Sequence, residues 1–241
     1  MRKFGLIGYP LSHSFSKKYF TEIFSNEGID AVYENYPIEN INMVASVFSD
    51  PLLEGINVTI PYKESVIPFI DELSDAVKAI GACNCITVHN GRTKGYNTDV
   101  IGFERSMEKK LRPVNDKALV LGTGGAAKAV CYVLKQRGIP YLQVSRKKLP
   151  GLITYEEVTP GLLQDHRLVI NTTPLGMYPK PDECPGLPYE ALTADHYLYD
   201  LVYNPEKTLF LQKGEARGAV IENGHDMLII QANESRKIWN V

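Results

Sequence analysis

The sequence predicts an α/β protein of two domains, and three observations carry that expectation. Short apolar, β-branched stretches alternate with helical patterns along the chain, the order of sheets layered against helices. The segment Arg-Pro-Val-Asn-Asp at 112–116 interrupts the alternation and reads as a linker. A second series then opens on a glycine-rich turn set between a strand and a helix. The 241 residues, 44% hydrophobic and 22% charged with a formal net charge of −2, are enough for two cores and give no basic balance suited to nucleic acid.

In the first series, residues 4–7 read as a strand, 17–26 as a helix and 32–37 as a strand. Ile56, Val58 and Ile60 alternate with Asn57 and Thr59, so 55–60 reads as a further strand, and Pro61 cannot continue its ladder. Lys63 therefore stands at a strand's C-terminal end, the side on which open α/β sheets bind ligands, although a solvated lysine fits the same place. A helix is expected over 74–80. Residues 85–89 and 93–96 form a hairpin about Asn90-Gly91, which supplies the positive φ of a tight turn. Residues 99–111 then read as helical.

The second series opens on Ala118–Leu121, a short buried strand, and continues in a helix over 126–137 closed by Gly138 and Pro140. Between them Gly122, Thr123, Gly124, Gly125, Ala126 and Ala127 fit G-x-G-x-x-A, with backbone N–H groups and a helix dipole placed to hold a dinucleotide pyrophosphate. After the next strand, 141–144, comes Ser145-Arg146-Lys147-Lys148, with no acid for ribose hydroxyls. The cations favour a 2′-phosphate, hence NADP over NAD, though a solvated turn has the same composition. Residues 168–172 and 197–202 read as two more strands of this sheet.

Other chemistry is poorly supported. Cys83, Cys85, Cys131 and Cys184 match no common zinc or redox spacing, so no metal is expected. The N-terminus lacks a secretory signal pattern, and no run approaches the length of a membrane span, so a cytoplasmic protein is expected.

Seven motifs in one order resemble the shikimate dehydrogenase family over nearly the whole chain. They are Ser-His-Ser-Phe-Ser at 12–16, Asn-Val-Thr-Ile-Pro-Tyr-Lys at 57–63, Gly-Ala-Cys-Asn at 81–84, Asn-Thr-Asp at 97–99, Gly-Thr-Gly-Gly-Ala at 122–126, Asp-Leu-Val-Tyr-Asn-Pro at 200–205 and Asn-Gly-His-Asp-Met-Leu-Ile-Ile-Gln at 223–231. The resemblance implies a substrate-binding domain of residues 1–100 plus 224–241, a Rossmann-like NADP-binding domain of residues 101–223, and a cleft between them. It also implies NADP-linked reduction of 3-dehydroshikimate to shikimate, on the route to aromatic amino acids, with monomer and homodimer both open. Ser14, Ser16, Thr59, Asn84, Asp99, Tyr203 and Gln231 would hold the substrate, and Lys63 with Asp99 would be catalytic. Residues 122–126, Ser145 and Arg146 match phosphate-binding positions. Leu201, Gly224 and Met227 match positions near the nicotinamide, and Asp75 one near the cofactor.

The chemistry accounts for these residue types. Hydride delivered to a ketone carbon leaves negative charge on oxygen, so a donor must stand beside that oxygen and supply a proton, which lysine can do. Plainer roles fit several of the same residues. Ser14, Ser16 and Asp99 suit helix caps, Asn84 and Asn97 suit turns, Met227 suits a core, and His13 has no nucleophile pattern beside it.

The chain departs from the family at Lys17, where proline is usual, at Cys85, where threonine is usual, and at Ser145-Arg146-Lys147, where Asn-Arg-Thr is usual. Cys85 could alter a substrate hydrogen bond. Residues 148–155 leave no room for the usual helix after the second strand, so the cofactor domain is shortened and its adenosine side more open. An NAD-linked quinate/shikimate dehydrogenase and a non-catalytic shikimate-binding sensor remain as alternatives.

Overall fold

The apolar runs become two six-stranded sheets. The computed structural model describes residues 1–11 and 15–241, and its chain divides into two compact units, 1–98 with 231–241, and 99–230. The first unit contains β1 (Arg2–Gly8), α1 (Phe15–Asn26), β2 (Ala31–Pro37), α2 (Val44–Phe48), β3 (Leu53–Val58), β4 (Glu72–Leu73), α3 (Asp75–Ile80), β5 (Cys85–His89) and β6 (Arg92–Tyr96). Its strands run in the order β2-β1-β3-β5-β6-β4. β1 is parallel to β2 and β3, whereas β5 is antiparallel to β3 and β6, as a hairpin requires. Asn90 and Gly91 take the expected positive φ values of 50° and 74°.

β3 is shorter than its alternation suggests. It ends at Val58, and Ile60 is 71% exposed. The reason is that β3 is covered on both faces: Ile56 and Val58 enter one apolar cluster with Val44, Val66 and Val77, while Asn57 is also buried, on hydrogen bonds. A strand buried on both sides carries no obligatory period of two, so Ile60 is not part of a core stripe.

The second unit contains α4 (Asp99–Glu108), β7 (Ala118–Leu121), α5 (Gly125–Gln136), β8 (Tyr141–Ser145), β9 (Ile153–Thr154), α6 (Pro160–Asp165), β10 (Leu168–Asn171), β11 (Tyr197–Asp200), α7 (Leu209–Glu215) and β12 (Val220–Glu222). α8 (His225–Trp239) then carries the chain back into the first unit at Gln231. All neighbours in the sheet β12-β11-β10-β7-β8-β9 are parallel, and its central strands are buried on both faces, as parallel sheets require.

Two expectations about boundaries change. α4 stops at Glu108 rather than at 111. It packs within the second unit, where Phe103 and Met107 are fully buried against Val130, Leu134 and Tyr199. Residues 112–116 are accordingly a pinned turn rather than a linker. Asn115 is buried, accepts from Arg112 N at 3.1 Å and donates to Asp195 O at 2.8 Å. Between β8 and β9 there is no helix, in agreement with the short segment read from the sequence. Lys148 instead pairs with Glu157 at 2.6 Å, and Glu157 also accepts from Thr154 N at 2.7 Å in a capping box. Among the described residues no helix is long and apolar enough to cross a membrane.

Asp200 ties the end of the second sheet together. Its carboxyl accepts from Asn171 Nδ2 at 2.9 Å, Val202 N at 3.0 Å and the Thr208 hydroxyl at 2.5 Å, joining β10, β11 and the N-cap of α7. Burial pushes its pKa up to about 6, against those hydrogen bonds. The folded state thus favours the protonated form, so this stabilisation is complete below the unfolded value near 3.8 and is lost as pH rises through 6. Asp200→Asn keeps the bonds from Asn171 and Val202 without the titration. Urea unfolding from pH 4 to 7 should show wild type losing roughly 2 kcal/mol relative to Asp200→Asn, and parallel pH profiles would contradict this account.

Candidate active site

Lys63 is fixed by its neighbours. The turn after β3 brings Tyr62 inward, where its hydroxyl donates to Ile38 O at 2.6 Å and its N–H donates to Thr59 O at 2.9 Å. The Lys63 carbonyl in turn accepts from Cys83 N at 2.7 Å, which places the lysine backbone beside the 81–84 segment. Lys63 and Thr59 are both partly buried. The lysine is therefore carried on a turn anchored from both sides, not on a loose surface loop.

Around that turn lies a buried polar network. Asn84 accepts from Thr98 N at 2.7 Å through Oδ1, and its Nδ2 donates to Thr98 Oγ1 at 3.0 Å. Thr98 Oγ1 donates to Gln231 Oε1 at 3.3 Å, bringing two of the expected substrate residues together from positions far apart in the chain. Asn57 links this group to Tyr33, whose hydroxyl donates to Asn57 Oδ1 at 2.8 Å and also meets the Ser16 hydroxyl. Ser16, Asn84 and Gln231 thus converge on one network. Ser14, with Ser12 and His13, lies outside the described residues.

Sequence reading missed Tyr33, Asn57, Thr98 and Ser235, which hold this network together. Asn57 and Thr98 lay inside quoted motifs, and a polar residue in an otherwise buried strand is a usable signal. Cys85 is completely buried, with its thiol against Ser235, and burial raises its pKa strongly.

The other expected residues are placed separately. Asp99 is buried at the first position of α4. Tyr203 is 36% exposed, beyond β11. Gly224 packs against the Leu201 backbone, where an added Cβ would come within 2.1 Å of the carbonyl oxygen. Met227 lies in the apolar core of the second unit with Phe103, Met107 and Tyr199, the plainer of the roles considered for it. Asp75 projects fully exposed from the first turn of α3 and pairs with Lys78 at 3.4 Å.

The glycine-rich turn joins β7 to α5, and its glycines have different causes. Gly122 has φ 118°, and a Cβ there would lie 2.5 Å from Thr172 Oγ1, so internal packing demands glycine. Gly124 has φ −76°, and a Cβ there would meet nothing within 4 Å. Nothing in the protein requires the missing side chain at 124. Its absence leaves the α5 N-terminus open, as close approach of a pyrophosphate needs, so these residues fit a dinucleotide. At the end of β8, Ser145 Oγ accepts from Lys147 N at 3.2 Å, and Arg146 and Lys147 are exposed. Lys148 is held by Glu157, so Arg146 and Lys147 are the cations better placed for a phosphate.

Similarity to known proteins places the chain in a family. The family described as shikimate dehydrogenase substrate binding domain matches residues 6–86, a span that includes Thr59, Lys63 and Asn84. A shikimate dehydrogenase (NADP(+)) of Caldicellulosiruptor saccharolyticus is 38% identical over 99% of this chain and 92% of its own length. The chain belongs to the shikimate dehydrogenase family. Among solved members, shikimate 5-dehydrogenase from Thermus thermophilus, in complex with NADP(H) and shikimate, superimposes with a TM-score of 0.87 at 30% identity, covering 99% of this chain and 93% of that one. Quinate dehydrogenase from Corynebacterium glutamicum, in complex with NAD, superimposes with a TM-score of 0.88 at 25% identity over 99% of this chain and 93% of its own. The shikimate dehydrogenase fold therefore accompanies more than one substrate and nicotinamide cofactor.

The two glycines give a direct comparison within this shikimate dehydrogenase family member. Gly122→Ala should lower unfolding free energy by about 2–4 kcal/mol, through strain at positive φ and the clash with Thr172, whereas Gly124→Ala should cost under about 1 kcal/mol. Urea unfolding of the two variants checks the difference, and equal losses would remove the argument that Gly124 is spared for a ligand.

Proposed function

We propose that the protein catalyses the reversible NADPH-dependent reduction of 3-dehydroshikimate to shikimate, a step toward chorismate and the aromatic amino acids. The observation that carries this reading is full-length similarity to enzymes named shikimate dehydrogenase (NADP(+)), with the lysine-bearing turn and its amide network intact. A cytoplasmic location suits such a pathway step, and monomer and homodimer are both compatible with it.

When bound, NADPH supplies the hydride for the ketone carbon. In this reading Lys63 Nζ donates a hydrogen bond to the ketone oxygen and gives it a proton as charge builds there, taking the proton back in the reverse direction. Asp99 orients Lys63 and accepts from a substrate hydroxyl. Ser14, Ser16, Thr59, Asn84, Tyr203 and Gln231 bind the remaining hydroxyls and the carboxylate. Residues 122–126 hold the cofactor pyrophosphate, with Ser145 and Arg146 toward the 2′-phosphate. Asp75, Leu201, Gly224 and Met227 contribute to the cofactor's surroundings, Gly224 by allowing the backbone beside Leu201 to approach closely and Met227 from within the core.

A second reading, an NAD-linked quinate/shikimate dehydrogenase, is favoured by likeness to the NAD complex of the quinate enzyme. Exposed Arg146 and Lys147, with no acid beside them in Ser145-Arg146-Lys147-Lys148, favour the phosphorylated cofactor instead. Steady-state rates with NADP and NAD on shikimate and on quinate should give the highest kcat/KM for NADP with shikimate. A preference for NAD or quinate would establish the second reading. Shikimate binding without shikimate-dependent NADPH formation would mark a sensor. Lys63→Ala should lower kcat by about 10²–10⁴-fold while KM for shikimate changes by less than about threefold, and comparable changes in both would give Lys63 a binding role.

A further inference from the structure

The amides that face the substrate in the proposed function share a hydrogen-bond network with a hydroxyl that solvent cannot reach. Ser235 lies one turn beyond Gln231 on α8 and is completely buried. Its Oγ accepts from Asn57 Nδ2 at 3.0 Å and donates to Gln231 O at 3.1 Å. The amide and carbonyl partners fix the polarity of most of these bonds. A carbonyl only accepts, so Ser235 is the donor to Gln231 O, while either hydroxyl can donate in the contact between Ser235 and Thr98. Asn57 Nδ2 also donates to Asn84 O at 3.2 Å, which fixes the Asn57 amide with both of its protons committed and its Oδ1 turned to Tyr33. The Thr98 N–H can only donate, which fixes the Asn84 amide with Oδ1 toward the backbone and Nδ2 toward Thr98 Oγ1. That Thr98 oxygen lies 3.4 Å from Ser235 Oγ and 3.3 Å from Gln231 Oε1.

Packing alone does not call for serine here. Beside it is the buried thiol of Cys85, and a serine within a helix bonded back to its i−4 carbonyl gains little for the helix. What the hydroxyl supplies is the acceptor for the second Asn57 proton, and with it a tie between α8 and β3. We infer that Ser235 is a positioning residue for substrate binding: through Asn57 and Thr98 it sets the directions in which Asn84 and Gln231 meet the hydroxyls of a cyclic polyol. The inference rests on the proposed assignment of Asn84 and Gln231 to the substrate.

Calorimetric titration of shikimate into the full-length protein, with steady-state kinetics alongside, tests it. Ser235→Ala should weaken shikimate binding about tenfold and raise KM for shikimate in step, while KM for NADP stays within about twofold, because Asn57 loses an acceptor and Thr98 a hydroxyl neighbour, which loosens the Asn84 backbone and the Thr98–Gln231 contact. Ser235→Thr restores the hydroxyl and should recover most of the affinity despite its extra methyl. Shikimate affinity unchanged within about twofold in Ser235→Ala would overturn the inference, as would equal losses for shikimate and NADP. If Ser235→Ala does not fold, Ser235→Cys, close in volume and a poor hydrogen-bonding partner, is read by the same criteria. Wild-type protein that binds no shikimate would instead overturn the proposed function, a result visible before any variant is made.

Discussion

Much of the first unit follows from placing one amide, Asn57, in the middle of a strand covered on both faces. An unpaired amide in such a place is costly, so its neighbours are constrained to satisfy it. Tyr33 takes one end, and the Asn84 carbonyl and Ser235 take the other. These partners come from β2, from the segment before β5 and from the last helix, so satisfying one group fixes the relation of three elements. Two residues after Asn57 the chain turns at Thr59 and reaches Lys63, whose backbone is held by Cys83, next to Asn84. The rigidity needed to satisfy Asn57 is thus passed along a few covalent bonds to the turn that carries the proposed proton donor.

The second unit solves a different problem, that of leaving backbone uncovered without losing order. Its central strands are buried on both faces, and Asp200 fastens the ends of β10 and β11 to the cap of α7. With the sheet end fastened, the turn between β7 and α5 can leave Gly124 bare. The orphan N–H groups at the start of a helix are then available to an anion.

Much of this was legible in the sequence, where local chemistry dominates. The strand at Ala118–Leu121, the helix beginning at the glycine turn and the hairpin at Asn90-Gly91 each carry their own signal within a few residues. β4, β12, α6 and α7 are too short for a period to show, and they are held by their sheet or cap partners rather than by a pattern of their own. The end of β3 was misplaced because Ile60 imitates a stripe that a doubly covered strand does not need. The Pro- and Asn-bearing turn at 112–116 looks like a linker, although the division between units falls at the start of α4. Of the proposed site, the motif residues were readable one by one. Their mutual support was not, since Asn57 and Ser235 stand 178 positions apart and only folding brings them into contact.

The outer strands of the second sheet carry a consequence of their own. β9 has two residues and β12 three, so each margin offers another polypeptide only a short ladder to extend. Short borders of this kind guard against end-to-end accretion of sheets into fibrils, and they do so without any charged sentinel in the strands being required.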